Sequence, residues 1–119
     1  MDSSCAAAWL LENYPIDRPD YWKVYDFLSS RSWRKKEQMN LAFYYLQKIP
    51  FASKKPYKIF LSFMSIANFL TILRKIHLND RSEIDLLVYH IKPLLEEKAK
   101  SVKDLLLIKE FLEYVYSSV

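Results

Sequence analysis

The 119-residue sequence contains no glycine, and that absence excludes more chemistry than any residue present. Phosphate-cradling loops, dinucleotide-binding fingerprints and the strained nucleophile elbow all need glycine where backbone turns sharply or approaches a ligand. Those enzyme classes are ruled out, and the lack of glycine for tight hairpins also argues against an all-β chain. The single cysteine, Cys5, has no second thiol to pair with. Cysteine usage therefore points to a reduced, intracellular setting, nuclear or cytoplasmic. The two histidines, His77 and His90, fall on different expected helices with no cysteine or ordered carboxylate spacing around them. Neither a metal site nor a cofactor is expected, because such sites need several convergent ligands. Glu96 and Glu97 are adjacent, so a helix turns them to different sides, and Cys5 has no assigned base. No catalytic residue is assigned, and the chain is read as non-enzymatic.

Long apolar runs are also missing. The charge-free stretch Ile59 to Leu73 falls short of the roughly 20 residues that span a bilayer. The opening lacks a basic n-region, the apolar patch from Cys5 to Leu11 is brief for a secretory signal, and Asp2 stands where myristoylation needs glycine. With no C-terminal prenylation box either, no membrane partner is expected. The ending Ser117-Ser118-Val119 superficially resembles a ligand for a C-terminus-capturing domain, and in a fragment it would be an accident of the cut.

What is present is apolar surface and unevenly placed charge. The chain carries 19 aromatic residues, which is more ring surface than a small helical domain readily hides around one core. Its net charge of +4 conceals three blocks. Residues 1 to 30 hold 2 basic and 5 acidic side chains, residues 31 to 75 hold 10 and 1, and residues 76 to 119 hold 6 and 8. The basic middle either faces an acidic partner or is neutralised by the acidic ends.

Hydrophobic periodicity predicts helices throughout. Ser3 or Ser4 caps a first helix over Ala6 to Glu12, anchored by Trp9 and Leu10. A second spans about Asp20 to Ser29. A third runs from about Trp33 to Lys48, with Met39, Ala42, Phe43, Leu46 and Ile49 inward and Arg34, Leu41, Tyr44, Tyr45 and Lys48 outward. The fourth, about 56–78, is the expected centre of the fold, opened by Pro56 where a missing N–H costs nothing. Asp80 or Ser82 opens a fifth helix with Ile84, Leu87, Val88 and Ile91 in phase, kinked or briefly broken at Pro93. Ser101 and Asp104 resemble a capping pair for a last helix over Val102 to Tyr116. There Leu105, Ile108, Leu112 and Val115 form one stripe and Leu107, Phe111 and Tyr114 another, so the helix must be largely enclosed by this chain or another. Familiar helical-repeat periods find no match.

The sequence thus predicts one all-α domain over residues 1 to 119, a compact bundle or short helical-repeat-like array of five to seven antiparallel helices. The leading functional expectation is a protein-binding adaptor or scaffold that holds an acidic or amphipathic partner helix or peptide in an apolar groove edged by basic residues. Its expected anchors are Trp22, Trp33, Tyr44, Tyr45, Phe111 and Tyr114. The expected basic patch is Arg31, Arg34, Lys35, Lys36, Lys48, Lys54, Lys55 and Lys58. The alternative is a nucleic-acid-binding module in which these cations neutralise phosphates and rings stack on bases. A self-associating helix bundle, a homo-oligomer, is the third class.

Overall fold

The computed structural model describes residues 2–117, so Met1, Ser118 and Val119, and with them the ending noted above, lie outside the described residues. Seven α-helices and no strand are found among them: α1 (Ser3–Asn13), α2 (Val24–Leu28), α3 (Lys35–Tyr45), α4 (Lys55–Phe63), α5 (Ile66–Arg74), α6 (Arg81–Lys98) and α7 (Val102–Ser117). A 3₁₀ turn, Tyr21–Lys23, leads into α2, and another, Leu46–Lys48, ends α3. No described residue has a positive φ, so every connection is made without left-handed backbone, as a chain without glycine requires.

Four of the seven helix starts, those of α1, α5, α6 and α7, follow short polar side chains. Asp2 caps α1 by accepting the Cys5 N–H at 2.8 Å, one residue before the expected serines. Asp80 accepts the Glu83 N–H at 2.9 Å to open α6. At α7 the expected capping pair forms: Ser101 Oγ accepts the Asp104 N–H at 3.1 Å, and Asp104 accepts the Lys100 N–H at 3.1 Å. α6 runs unbroken through Pro93, contrary to a brief break there. Pro93 and Tyr89 both lie on the exposed side of the helix, where the loss of the Pro93 N–H as a donor to the Tyr89 carbonyl is least costly.

The single central helix expected over 56–78 is instead two. Met64 and Ser65 are extended, and Ser65 accepts the Asn68 N–H at 3.1 Å to start α5 afresh. This break separates two rows. α1 packs on α3, α3 on α5 and α5 on α7; α2 packs on α4 and α4 on α6; contacts of α4 with α3 and α5, and of α6 with α7, join the rows. The molecule is a slab 40 × 31 × 20 Å, two helix diameters thick.

One contiguous core lies between the rows. On α3 its face is rotated from the expected one: Leu41, Ala42, Tyr45 and Leu46 are buried, while Phe43 is exposed. Tyr45 tolerates complete burial because its hydroxyl donates to the Tyr14 and Leu10 carbonyls, at 2.9 and 3.2 Å. Nearby, Tyr25 meets Tyr45, Phe51 and Phe60 at ring separations of 6.2 to 6.3 Å, and the Tyr57 hydroxyl accepts the Phe51 N–H at 3.0 Å. Burial pushes the Tyr57 hydroxyl up to about 12 and raises Tyr25 and Tyr45 further.

Two outcomes follow from these contacts. A phenol whose folded value is raised contributes stability that is complete below the unfolded value and is lost as pH rises through the folded one. Above about pH 10, tyrosinate absorbance should therefore show Tyr25, Tyr45 and Tyr57 un-ionised in the folded protein, whereas in denaturant all nine tyrosines titrate together. Ser65→Ala removes the α5 cap and should lower stability in urea melts by about 1 kcal/mol.

Candidate protein-binding surface

The expected basic patch is spread over several places rather than gathered in one. Arg31 lies in the α2–α3 connection, and Arg34, Lys35 and Lys36 are at the start of α3. Lys48 ends the 3₁₀ turn after α3, roughly 20 Å further along the helix axis. It sits 5.2 Å above the Tyr21 ring. Lys54, Lys55 and Lys58 open α4. Lys55 pairs with Asp26 at 3.6 Å, an exposed contact of little energetic weight. Lys35, Lys36, Lys54 and Lys58 are exposed and have no ion-pair partner among the described residues. The acidic ends therefore leave much of the basic middle uncovered.

α3 and α4 begin at Arg34 and Lys54, neither of which supplies a side-chain cap, whereas α1, α5, α6 and α7 are capped. The cations thus stand at the positive ends of two helix dipoles, where they are unfavourable. Glu37 in the first turn of α3 offsets part of this; α4 has no acidic residue in its first turn.

Three of the six expected anchors are enclosed, and this corrects the groove drawn from sequence. Trp33 precedes α3 rather than starting it; its ring is buried and its indole N–H donates to the Leu28 carbonyl at 3.0 Å. Tyr45 is held against the end of α1, and Phe111 is buried with the Arg74 guanidinium 5.7 Å from its ring. Tyr44 is half-buried, its hydroxyl accepting the Ile16 N–H at 3.0 Å. Tyr114 lies 4.6 Å beneath the Arg74 guanidinium and donates to the Arg74 carbonyl at 3.3 Å. Trp22, at 57 % exposure, remains open to solvent.

In their place a slot opens at the α1 end of the slab. Trp9, Phe27 and Trp33 wall it, Ala6 and Leu10 floor it, and Ser30 and Arg31 close one side around a cavity of about 160 Å³. Exposed Trp9 and Phe27 form a ring cluster with half-buried Tyr14, centroids 5.5 to 6.1 Å apart. The Arg31 guanidinium lies 5.1 Å from the Trp33 ring and divides the slot from a larger polar cleft of about 580 Å³ lined by residues 28 to 33 with Gln38, Ser62 and Phe63. The start of α3 adjoins α1 here, because the Arg34 N–H donates to Ser3 Oγ at 3.1 Å. An apolar recess lined in part by Arg31 thus lies near the start of α3, where Arg34, Lys35 and Lys36 follow Trp33 in the chain.

Sequence reasoning placed Trp9 in the core. The buried stripe of α1, however, is Ser3, Ala6, Ala7 and Leu10 at i, i+3, i+4 and i+7, which leaves Trp9 off it. On α2 the buried residues are Val24, Tyr25 and Leu28, and Phe27 is exposed although it stands at i+3 from Val24. Among the described residues no group of three His, Cys, Asp or Glu side chains could hold a metal ion, and no helix is long and apolar enough to cross a membrane.

Mutation separates framework from surface. Trp33→Ala should cost about 3–5 kcal/mol in urea denaturation, and Trp22→Ala should stay within about 0.5 kcal/mol of the parent. No family model matches the sequence, and neither the curated proteins nor the solved structures searched contain a match.

Proposed function

We propose that this chain is a non-catalytic protein-interaction module, an adaptor or scaffold, that receives one apolar side chain of an acidic partner segment in the slot walled by Trp9, Phe27 and Trp33. The observation that carries this reading is the juxtaposition of an open aromatic recess with cations at the start of α3. Aromatic walls supply apolar contact at small entropic cost. The cations steer acidic groups and set the salt dependence of association. An anionic partner also relieves the charge at the uncapped start of α3. The separation of Lys48 from the α3 start favours a short segment docked at one end over a phosphate backbone tracked across the whole basic middle.

The test uses fluorescein-labelled peptides in which Leu, Phe or Trp is flanked by glutamates, read by anisotropy and by tryptophan emission. Binding should weaken about 30-fold in Phe27→Ala, as for an interface anchor. In Lys35→Glu/Lys36→Glu it should weaken and lose much of its salt dependence. If no peptide of the panel binds, the acidic-segment reading fails. A short mixed-sequence RNA or DNA that binds with a steep salt slope, is released by the double lysine variant and ignores Phe27→Ala would replace it with the nucleic-acid alternative.

A further inference from the structure

α7 ends its row. It leans mainly on α5 and α6 and buries Ile108, Phe111 and Val115, leaving an outer face exposed. In stacked helical arrays the terminal element normally presents a polar outer face. Here Val102, Leu105 and Leu106 are 73, 54 and 52 % exposed in the first two turns. The enclosure expected for this helix is therefore met on one side only.

Charge on the same outer face is ordered. Lys103 and Glu110 lie seven residues apart, two helical turns, and so project in nearly the same direction. Lys100 lies just before the helix, and Glu113 is on its exposed side near the far end. None of these four has an ion-pair partner among the described residues. Lys100 and Lys103 thus precede the exposed leucines and Glu110 and Glu113 follow them, with Lys109 as the one exposed cation beyond the leucines. The pairs Lys103 with Glu110 and Lys100 with Glu113 complement themselves when the direction of one helix is reversed.

We propose that this face is a self-association surface on which a second copy of the chain lays its own α7 antiparallel. A two-fold axis at the level of Leu106 and Leu107 sets Lys103 opposite Glu110 of the second copy. The same axis brings Lys100, in the connection before the helix, towards the Glu113 end of the second copy, and symmetry makes each pairing twice. Leu106 meets its counterpart near the axis, flanked by Val102 and Leu105. A symmetric interface requires this kind of self-complementarity, whereas a parallel pairing would oppose like charges. Two helix faces bury on the order of 1,000 Å² or less, so the dimer is weak and its formation depends on concentration. The surface is separate from the slot, since α1 and α7 occupy opposite ends of the row that runs through α3 and α5.

Sedimentation equilibrium of the full chain over a range of concentrations tests this, with circular dichroism to verify that each variant is folded. The parent should show a reversible monomer–dimer equilibrium. Lys103→Glu and Glu110→Lys should each weaken it about tenfold through the two symmetric pairs that each disrupts. An equimolar mixture of these two variants should recover parental affinity, because every pair in the mixed dimer is again of opposite sign. Leu106→Asp should abolish association. A parent that stays monomeric at the highest soluble concentration overturns the proposal, as does a dimer insensitive to all three substitutions. Failure of the mixture to recover affinity overturns the antiparallel arrangement.

Discussion

Of the buried tyrosine hydroxyls, that of Tyr45 spans the greatest distance along the chain to reach its acceptors, and the packing of this fold depends on how it does so. The Tyr25 hydroxyl, by contrast, is buried without a partner among the described residues. The Tyr45 ring lies wholly within the core, and its oxygen reaches carbonyls at the end of α1. That contact joins residues more than thirty positions apart and fixes α1 against α3 at the height where α1 stops. It also sets the rotation of α3, because with Tyr45 inward Leu41, Ala42 and Leu46 follow and Phe43 cannot. A buried hydroxyl left without its partner would cost more than the bond contributes when made, so the arrangement is specified more sharply than apolar packing alone would specify it.

The second organising device is the interruption at Met64 and Ser65. Without it, the chain from Pro56 onward would be one rod serving one layer. With it, Met64 enters the core, α5 starts from its own cap, and the chain passes from the α2–α4–α6 row into the α1–α3–α5–α7 row. The rows alternate earlier in the chain too, α1 and α2 belonging to different rows. α1, α2 and the connection before α3, consecutive in the chain, become walls of a single recess.

How much of this could be read from the sequence depended on whether the signal was local. Asp80 and the Ser101–Asp104 pair mark helix starts within a few residues of chain, and the ends of α6 and α7 were legible accordingly. The face of α3 was not, since Leu41 and Phe43 are both apolar and only the distant carbonyls at the end of α1 decide between Tyr45 inward and Tyr45 outward. The break at Ser65 was hidden because a serine inside a charge-free run is also compatible with a helix interior. The basic block was legible in composition but not in space, because a helix carries its two ends apart. The slot has no linear signature at all, its walls coming from three separate segments.

The alternation of rows has one more consequence, for how such a chain changes over evolutionary time. α1 and α7 sit at opposite ends of their row, so each end helix closes the one shared core from one side only. A helical hairpin could be added beyond α7 or lost there while the contacts around Tyr45 stay as they are. Architecture of this kind varies in length more readily than in cross-section, and sequence drift at its ends is buffered from its middle.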